Sequence, residues 1–193
     1  MKRILILLAL ILFSNLSYSQ SHINPKKISN AAISIIDSNI IYEGGYKQIS
    51  YPNGDVDPST GVCTDVVIRS LRKLGLDLQK EIYEDMSENF HLYPKNWGLT
   101  KPDKNIDHRR VYNQMKYFER KDMSIPITDS PEDYLSGDIV AYDLGGGLTH
   151  IGIVIDRVSL DGKRNLIVHN IGGGQVAEDI LFDYQIIGHY RFK

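Results

Sequence analysis

The hydrophobic pattern of this chain changes its period near Pro126, and this change limits the folds that it can adopt. Before this point apolar residues recur at helical spacing, whereas after it they form short β-rich runs separated by turn signals. The predicted strands are residues 139–142, 150–156, 166–169 and 186–192. Asp161-Gly162 predicts a two-residue hairpin turn between the second and third strands. Helices followed by strands predict an α+β domain, with helices packed on one face of an antiparallel meander.

Three helices are predicted before Pro126, besides the one that carries the cysteine. They begin at Pro25, span residues 77–91 and run from about 112 to 120. Residues 51–60 are rich in turn formers and acidic side chains, which predicts an irregular loop. Because site residues concentrate on loops held by a rigid scaffold, this loop is expected to line a cleft.

The chain has one cysteine, Cys63, at the predicted first turn of a helix. Gly75 is expected to cap the end of this helix, and Thr60 or Gly61 its start. The helix N-terminus carries unpaired N–H groups and a partial positive charge, so we expect the pKa of Cys63 to lie below the usual value of about 8.5. The alternative is that Cys63 is a small buried apolar residue. The helical pattern rests on Val62, Val66, Val67, Leu71 and Leu74.

The first 19 residues have the layout of a secretory signal peptide. Met1-Lys2-Arg3 precede an apolar run over residues 4–13, and Ser17-Tyr18-Ser19 follow it. We expect cleavage after Ser19, leaving residues 20–193 as a single domain that is periplasmic or secreted. The apolar run is shorter than the roughly 20 residues needed to span a bilayer, which favours a cleaved signal peptide over an uncleaved anchor. No integral membrane segment is expected after cleavage.

Export and charge restrict the possible functions. Structural cysteines in an oxidising compartment occur in pairs, so a lone cysteine there favours a reactive thiol or an intermolecular bridge. The formal net charge of −2 becomes −4 once Lys2 and Arg3 leave with the signal peptide. Nucleic-acid binding would require a basic face, so no nucleic-acid partner is predicted.

Two histidines lie inside the predicted strands and are candidates to activate Cys63. A thiol nucleophile needs a general base, and the base is oriented by a third group. His150 and His169 are predicted to share a face of the sheet, whereas Asn170 points to the other face. The predicted turn pairs Val154 with His169, which leaves the two histidines four residues apart, roughly 13 Å. Their contact would require strand twist, a bulge or a different turn.

The order of these motifs resembles the NlpC/p60 group of papain-fold cysteine peptidases. The shared features are a cysteine at a helix start, Gly-Asp-Ile-Val at 137–140, His-Ile-Gly-Ile-Val at 150–154 and Val-His at 168–169. The resemblance covers residues 51 to 169 and is closest to an exported bacterial branch without assigned activity. It implies a papain-like fold in which Cys63 is the nucleophile, His150 the base and His169 the orienting residue.

The resemblance also implies roles for residues around the nucleophile. Tyr51 stands twelve residues before Cys63, where the family places a tyrosine that helps the oxyanion site, and Gly54 matches a glycine of the same loop. The family usually reads Asp-Cys-Ser-Gly, whereas here Asp65 places the carboxylate on the other side of the cysteine, which bears on substrate choice.

Two further residues are candidates for substrate binding. Arg109 could hold a substrate carboxylate in a two-pronged contact, and Trp97 could form a cleft wall. The alternatives are a solvated charged turn at Arg109 and a core residue at Trp97.

The expected function is an exported cysteine hydrolase that cleaves an amide in peptidoglycan stem peptides without a cofactor or metal. One alternative is a non-catalytic module that binds peptides or the cell wall on the same scaffold. A weaker alternative is a zinc site formed by Cys63, His150 and His169, although no CxxC or HxxxH spacing supports it. The oligomeric state is left open.

Overall fold

The computed structural model describes residues 23–193. The predicted signal peptide and its cleavage site lie outside the described residues. No helix in the part described is long and apolar enough to cross a membrane. The helices are α1 (Pro25–Ile33), α2 (Cys63–Arg72), α3 (Leu78–Asn89) and α4 (Val111–Arg120). The strands are β1 (Ile41–Tyr42), β2 (Thr60–Gly61), β3 (Ile139–Gly145), β4 (Leu148–Val158), β5 (Asn165–His169), β6 (Val176–Glu178) and β7 (Gln185–Tyr190).

Five of the strands form one antiparallel sheet in the order β6-β5-β4-β3-β7. The α+β class is therefore confirmed. The predicted meander is correct from β3 to β5, but β7 crosses back and pairs with the free edge of β3. β6 was not predicted, because three residues are too few to show alternation. β1 and β2 form a separate parallel pair just before α2.

The two faces of the sheet pack against different parts of the chain. Alternate residues of β4 are buried against the helices: Ile151, Ile153 and Ile155. The opposite face is covered by the segments that flank β3 and β7, and its buried residues are Tyr134, Val140, Tyr142, Val154, Ile167, Ile180 and Leu181. This alternation follows from the period of two along a strand. It places His150 and His169 on the face of the sheet that lies away from the helices.

Helix α2 begins at Cys63 as predicted, but its N-cap is Val62 rather than Thr60 or Gly61. The Asp65 carboxylate accepts the backbone N–H of Val62 at 2.7 Å, which satisfies a donor that the helix leaves open. Gly75 has a φ of +84° just beyond the C-terminus, as expected of a glycine that ends a helix. The helix is anchored by Val66, Val67 and Leu71, each fully buried and worth about 1.5–3 kcal/mol.

The Asp138 carboxylate, from the Gly-Asp-Ile-Val motif, lies inside a buried network of hydrogen bonds. It accepts from His189 Nε2 at 2.8 Å, from Arg191 Nε and Nη2 at 2.7 Å each, and from the backbone N–H of Leu135 at 2.7 Å. Burial alone would raise the pKa of Asp138, but the bonds from Arg191 and His189 hold it below its usual value. This aspartate therefore joins β7 to the start of β3.

The pairing of β4 with β5 contains a bulge that the sequence pattern did not locate. Near the turn Val158 pairs with Asn165, which is the register predicted from the hairpin. Between Val158 and Val154 the register shifts by two residues. As a result Ile153 pairs with Val168. A bulge inserts extra residues into one strand and moves every later pair.

The bulge brings the two histidines together. The predicted register placed His169 opposite Val154, four residues from His150. In the observed register His169 lies opposite Gly152, two residues from His150, which is about 7 Å along the strand. This distance is within reach of two imidazole rings.

Candidate active site

The thiol of Cys63 lies where the N-terminus of α2 meets β4. Cys63 is 4% exposed. The backbone N–H groups of Ile151, of Thr64 and of Cys63 itself lie close enough to the sulfur to favour its thiolate form. Because Ile151 follows His150 directly, the helix end and the strand place the thiol one residue from a histidine.

The Cys63 thiol is electrically neutral in this structure. Burial raises its pKa to about 12, and the nearby Asp65 carboxylate adds to the shift. The backbone N–H groups at the sulfur favour the thiolate, but their effect is smaller than the loss of solvation. The sequence predicted the opposite direction, because helix position is visible in the sequence whereas burial of the sulfur is not.

Two buried imidazoles and a carboxylate form a chain of hydrogen bonds on β4, β5 and β6. His150 Nε2 lies 3.0 Å from His169 Nδ1, and His169 Nε2 lies 2.9 Å from Glu178 Oε2. The histidines are 1% and 0% exposed. Burial and the neighbouring His169 lower the pKa of His150 to about 3. Burial also lowers the pKa of His169, although Glu178 opposes this shift.

The predicted base and orienting residue are thus brought into contact with each other, and the backbone N–H that follows the base faces the sulfur of the predicted nucleophile. Nε2 of His150 is hydrogen-bonded to His169. Nδ1 of His150 is therefore the ring nitrogen that could accept a proton from the thiol. Among the described residues no hydrogen bond yet joins Cys63 to His150. Hydrogen bonds of catalytic sites are often long or incomplete before substrate binds.

Gly152 makes room for the pair of histidines. A Cβ atom at this position would lie 2.5 Å from Ile167 Cγ2 and 3.2 Å from His169 Cβ. Only glycine leaves this space open between β4 and β5. The glycine of the His-Ile-Gly-Ile-Val motif therefore has a packing role that the sequence did not reveal.

Tyr42 is a further candidate residue that the sequence analysis missed. It pairs with Gly61, two residues before Cys63, and is 47% exposed. Partial burial raises the pKa of Tyr42, and the charges of Cys63 and Asp65 raise it further, whereas Arg109 opposes them. Its hydroxyl thus lies within electrostatic range of Cys63. No motif marks Tyr42 among the 12 tyrosines of the chain.

Asp65 and Arg109 form a buried ion pair beneath the start of α2. Arg109 Nε and Nη2 each donate to an oxygen of Asp65 at 2.9 Å, and both side chains are 2% exposed. Further guanidinium donors bind the carbonyls of Glu43 and Gly45. The guanidinium group of Arg109, which was expected to bind a substrate carboxylate, therefore binds the carboxylate of Asp65 instead. The substrate-binding role of both residues stays a prediction.

Tyr51 and Gly54 lie against α3 rather than in contact with Cys63. The Tyr51 ring is 5.2 Å from the Tyr83 ring. The N–H of Gly54 donates to Gln79 Oε1 at 2.8 Å, and a Cβ there would lie 2.0 Å from the carbonyl oxygen of Ser50. Gly54 thus permits a tight loop. The oxyanion role of Tyr51 stays a prediction. Cys63 shifts the pKa of Tyr42 and is not among the causes of the shift at Tyr51, so Tyr42 is the stronger candidate for this role.

Trp97 packs at a distance from the histidine chain. Its ring lies 4.2 Å from the guanidinium of Arg110, a cation–π contact. It also lines a small cavity with Met86 and Phe90 of the α3 region. None of its described contacts involves Cys63, so its role as a cleft wall stays a prediction.

The described residues contain no group of three or more His, Cys, Asp or Glu side chains placed to hold a metal ion. His150 and His169 direct their ring nitrogens at one another and at Glu178, instead of at a common point. This geometry gives no support to the zinc alternative.

Comparison with known proteins places the chain in a family. An uncharacterized protein of Escherichia coli (strain K12), YijF, is 48% identical over 165 residues, which cover 86% of this chain and 80% of YijF. Residues 29–192 match the family described as a domain of unknown function, DUF1287. The matched residues include Cys63, His150, His169 and Glu178, so the whole candidate site lies within the family domain. The chain therefore belongs to the DUF1287 family.

Proposed function

We propose that this chain is an exported cysteine hydrolase with a papain-like fold of the NlpC/p60 type. The observation that carries the proposal is the 3.0 Å hydrogen bond between His150 and His169. It is joined by a cysteine at a helix N-terminus whose sulfur faces the backbone N–H of Ile151, the residue after His150. A nucleophile, a base and a group that orients the base are the components required for covalent catalysis. The proposed substrate is an amide bond in peptidoglycan stem peptides, which rests on the signal-peptide pattern and the NlpC/p60 resemblance.

In the proposed reaction the thiol is activated as it attacks. His150 Nδ1 removes the proton of Cys63 while sulfur bonds to the carbonyl carbon, which avoids a separate buried thiolate. Backbone N–H groups at the start of α2, together with the Tyr42 hydroxyl, stabilise the oxyanion. The imidazolium of His150 then protonates the leaving amine as the C–N bond breaks. Water, deprotonated by His150, hydrolyses the thioester and releases the acid and the free thiol.

The neutral starting state agrees with this order of events. With the pKa of Cys63 raised to about 12 and that of His150 lowered to about 3, both groups are uncharged at neutral pH. Transfer of the proton must therefore accompany attack on the substrate.

The test compares cleavage of purified muropeptides by the wild type, Cys63→Ala and His150→Ala. A matched control is His91→Ala, since His91 is exposed on a short 3-10 turn after α3. We expect cleavage by the wild type and the control, and loss of cleavage in the other two variants. Alkylation of Cys63 by iodoacetamide at pH 7, slower in His150→Ala than in the wild type, would identify the pair directly. Equal cleavage by Cys63→Ala would refute the mechanism.

The neutral thiol also favours a second candidate, a non-catalytic module that binds peptides or the cell wall. A cysteine with a raised pKa and no hydrogen bond to His150 would be inert. This alternative predicts binding to peptidoglycan that is unchanged in Cys63→Ala, with no muropeptide cleavage by the wild type. A sedimentation assay with insoluble peptidoglycan measures that binding.

A further inference from the structure

Glu178 lies at the outer end of the histidine chain, on strand β6. β6 is an edge strand that pairs with β5, where Glu178 lies opposite Ile167 and Val176 lies opposite His169. Glu178 therefore shares a face of the sheet with His169 and reaches it along the surface. Its side chain is 52% exposed, whereas that of His169 is 1% exposed. One carboxylate oxygen thus contacts a buried ring while the rest of the side chain remains in solvent.

The neighbouring residue holds this strand end in place. Asp179 accepts two hydrogen bonds from Arg164, at 2.6 Å to each carboxylate oxygen. A bidentate arginine–carboxylate pair constrains direction as well as distance. Because Arg164 precedes β5, the pair ties the end of β6 to the start of β5. Glu178 is therefore held on the same side of the sheet as the imidazole that it contacts.

The carboxylate of Glu178 determines which nitrogen donates and which accepts in the hydrogen bonds that join it to His169 and His150. A carboxylate can only accept, so His169 must carry its proton on Nε2. A neutral imidazole has one donor and one acceptor, so His169 Nδ1 must accept. The nitrogen that donates to it is Nε2 of His150, which leaves Nδ1 of His150 without a proton. Burial keeps both rings neutral at pH 7, because it lowers both pKa values.

The opposite placement of the ring protons would prevent His150 from acting as a base. If His169 carried its proton on Nδ1, it would donate to Nε2 of His150, and Nδ1 of His150 would be the protonated nitrogen. That nitrogen could not accept a proton from Cys63. Without the carboxylate, the hydrogen bond at His169 Nε2 that selects between the two assignments is lost.

We propose that Glu178 is a positioning residue that selects the tautomers of His169 and His150, so that His150 presents an unprotonated Nδ1 to Cys63. This inference rests on the proposed function and extends the Cys-His-His arrangement by a fourth member. Glu178 touches neither substrate nor thiol in this role. It acts through two successive hydrogen bonds.

The direct test is nitrogen-15 NMR of the histidine rings at pH 7, which distinguishes protonated from unprotonated ring nitrogens. The samples are the wild type, Glu178→Ala, Glu178→Gln and the exposed-site control Glu132→Ala. We expect Nε2-protonated His150 and His169 in the wild type and the control, and a mixture of tautomers in Glu178→Ala. Glu178→Gln should retain the wild-type tautomers, because its amide oxygen can accept the same hydrogen bond. Unchanged tautomers in Glu178→Ala would overturn the proposal.

The second measurement is muropeptide cleavage by the same proteins, with thermal unfolding as a check of the fold. We expect Glu178→Ala to lose about 10- to 100-fold in rate, as is typical when the partner that orients a metal-bound imidazole is removed. Glu178→Gln should recover most of this rate, and equal impairment of both variants would overturn the acceptor role. If His150→Ala cleaves normally, the proposed function fails. If His150→Ala is inactive while Glu178→Ala cleaves normally, only the inference about Glu178 fails.

Discussion

The ion pair between Asp65 and Arg109 offers a sharp test of how the start of α2 is held. Replacing Arg109 by Met removes the guanidinium and leaves the Asp65 carboxylate, 2% exposed, without its counter-charge. Removing one partner of a buried pair typically costs about 3–5 kcal/mol. The variant also loses the donors to the Glu43 and Gly45 carbonyls. Such a loss is a large part of the roughly 5–15 kcal/mol that stabilises a typical domain.

Urea unfolding followed by circular dichroism measures the effect. With a slope of about 2 kcal/mol per molar urea, a loss of 4 kcal/mol lowers the midpoint by about 2 M. The double variant Asp65→Asn/Arg109→Met should lose less than the sum of the single variants, because no buried charge remains unpaired. Arg109→Lys is the matched control that keeps the charge but lacks the two-pronged geometry.

Two results would refute this reasoning. If Arg109→Met lowers the free energy of unfolding by less than about 1 kcal/mol, the effect is no larger than that of an exposed ion pair. This result would contradict the buried geometry. Wild-type stability with a raised KM for muropeptides would show instead that Arg109 binds substrate, as the sequence predicted.

Three other substitutions test separate features. Gly152→Ala should cost about 1–3 kcal/mol in urea unfolding and slow muropeptide cleavage, because the new methyl group collides with Ile167 and crowds His169; an unchanged midpoint would argue against the close packing. Tyr42→Phe should lower the cleavage rate by about 10²-fold if its hydroxyl stabilises the oxyanion, whereas Tyr51→Phe should leave the rate near that of the wild type; the reverse result would restore the predicted role of Tyr51. Asp138→Asn should lower stability by about 3 kcal/mol at pH 7. The pKa of Asp138 is lower in the folded protein than its unfolded value of about 3.9. The charged carboxylate therefore stabilises the fold above about pH 3.9, and this stabilisation is lost as the pH falls from there through the folded pKa. Urea midpoints of wild type and Asp138→Asn should therefore converge below about pH 4, and a constant difference would contradict the shift.

The sequence by itself determined the features that depend on local chemistry. The change from helical to alternating periodicity was sufficient for the α+β class, because each period reflects the geometry of one element. It was also sufficient to place Cys63 at the first turn of α2 and Gly75 beyond its end. His150 and His169 could be assigned to one face, since alternation along neighbouring strands is a local rule.

Only the tertiary structure decided how these elements meet. The bulge between Val154 and Val158 set the contact of the two histidines, and no residue pattern in β4 marks its position. Tyr42 and Glu178 reach the site through strands of two and three residues, too short to carry a periodic signal. The neutral thiol of Cys63 and the pairing of Arg109 with Asp65 depend on burial by distant segments. Register, burial and charge pairing are non-local, because each is set by the segments that pack together and not by the residues beside it in the chain.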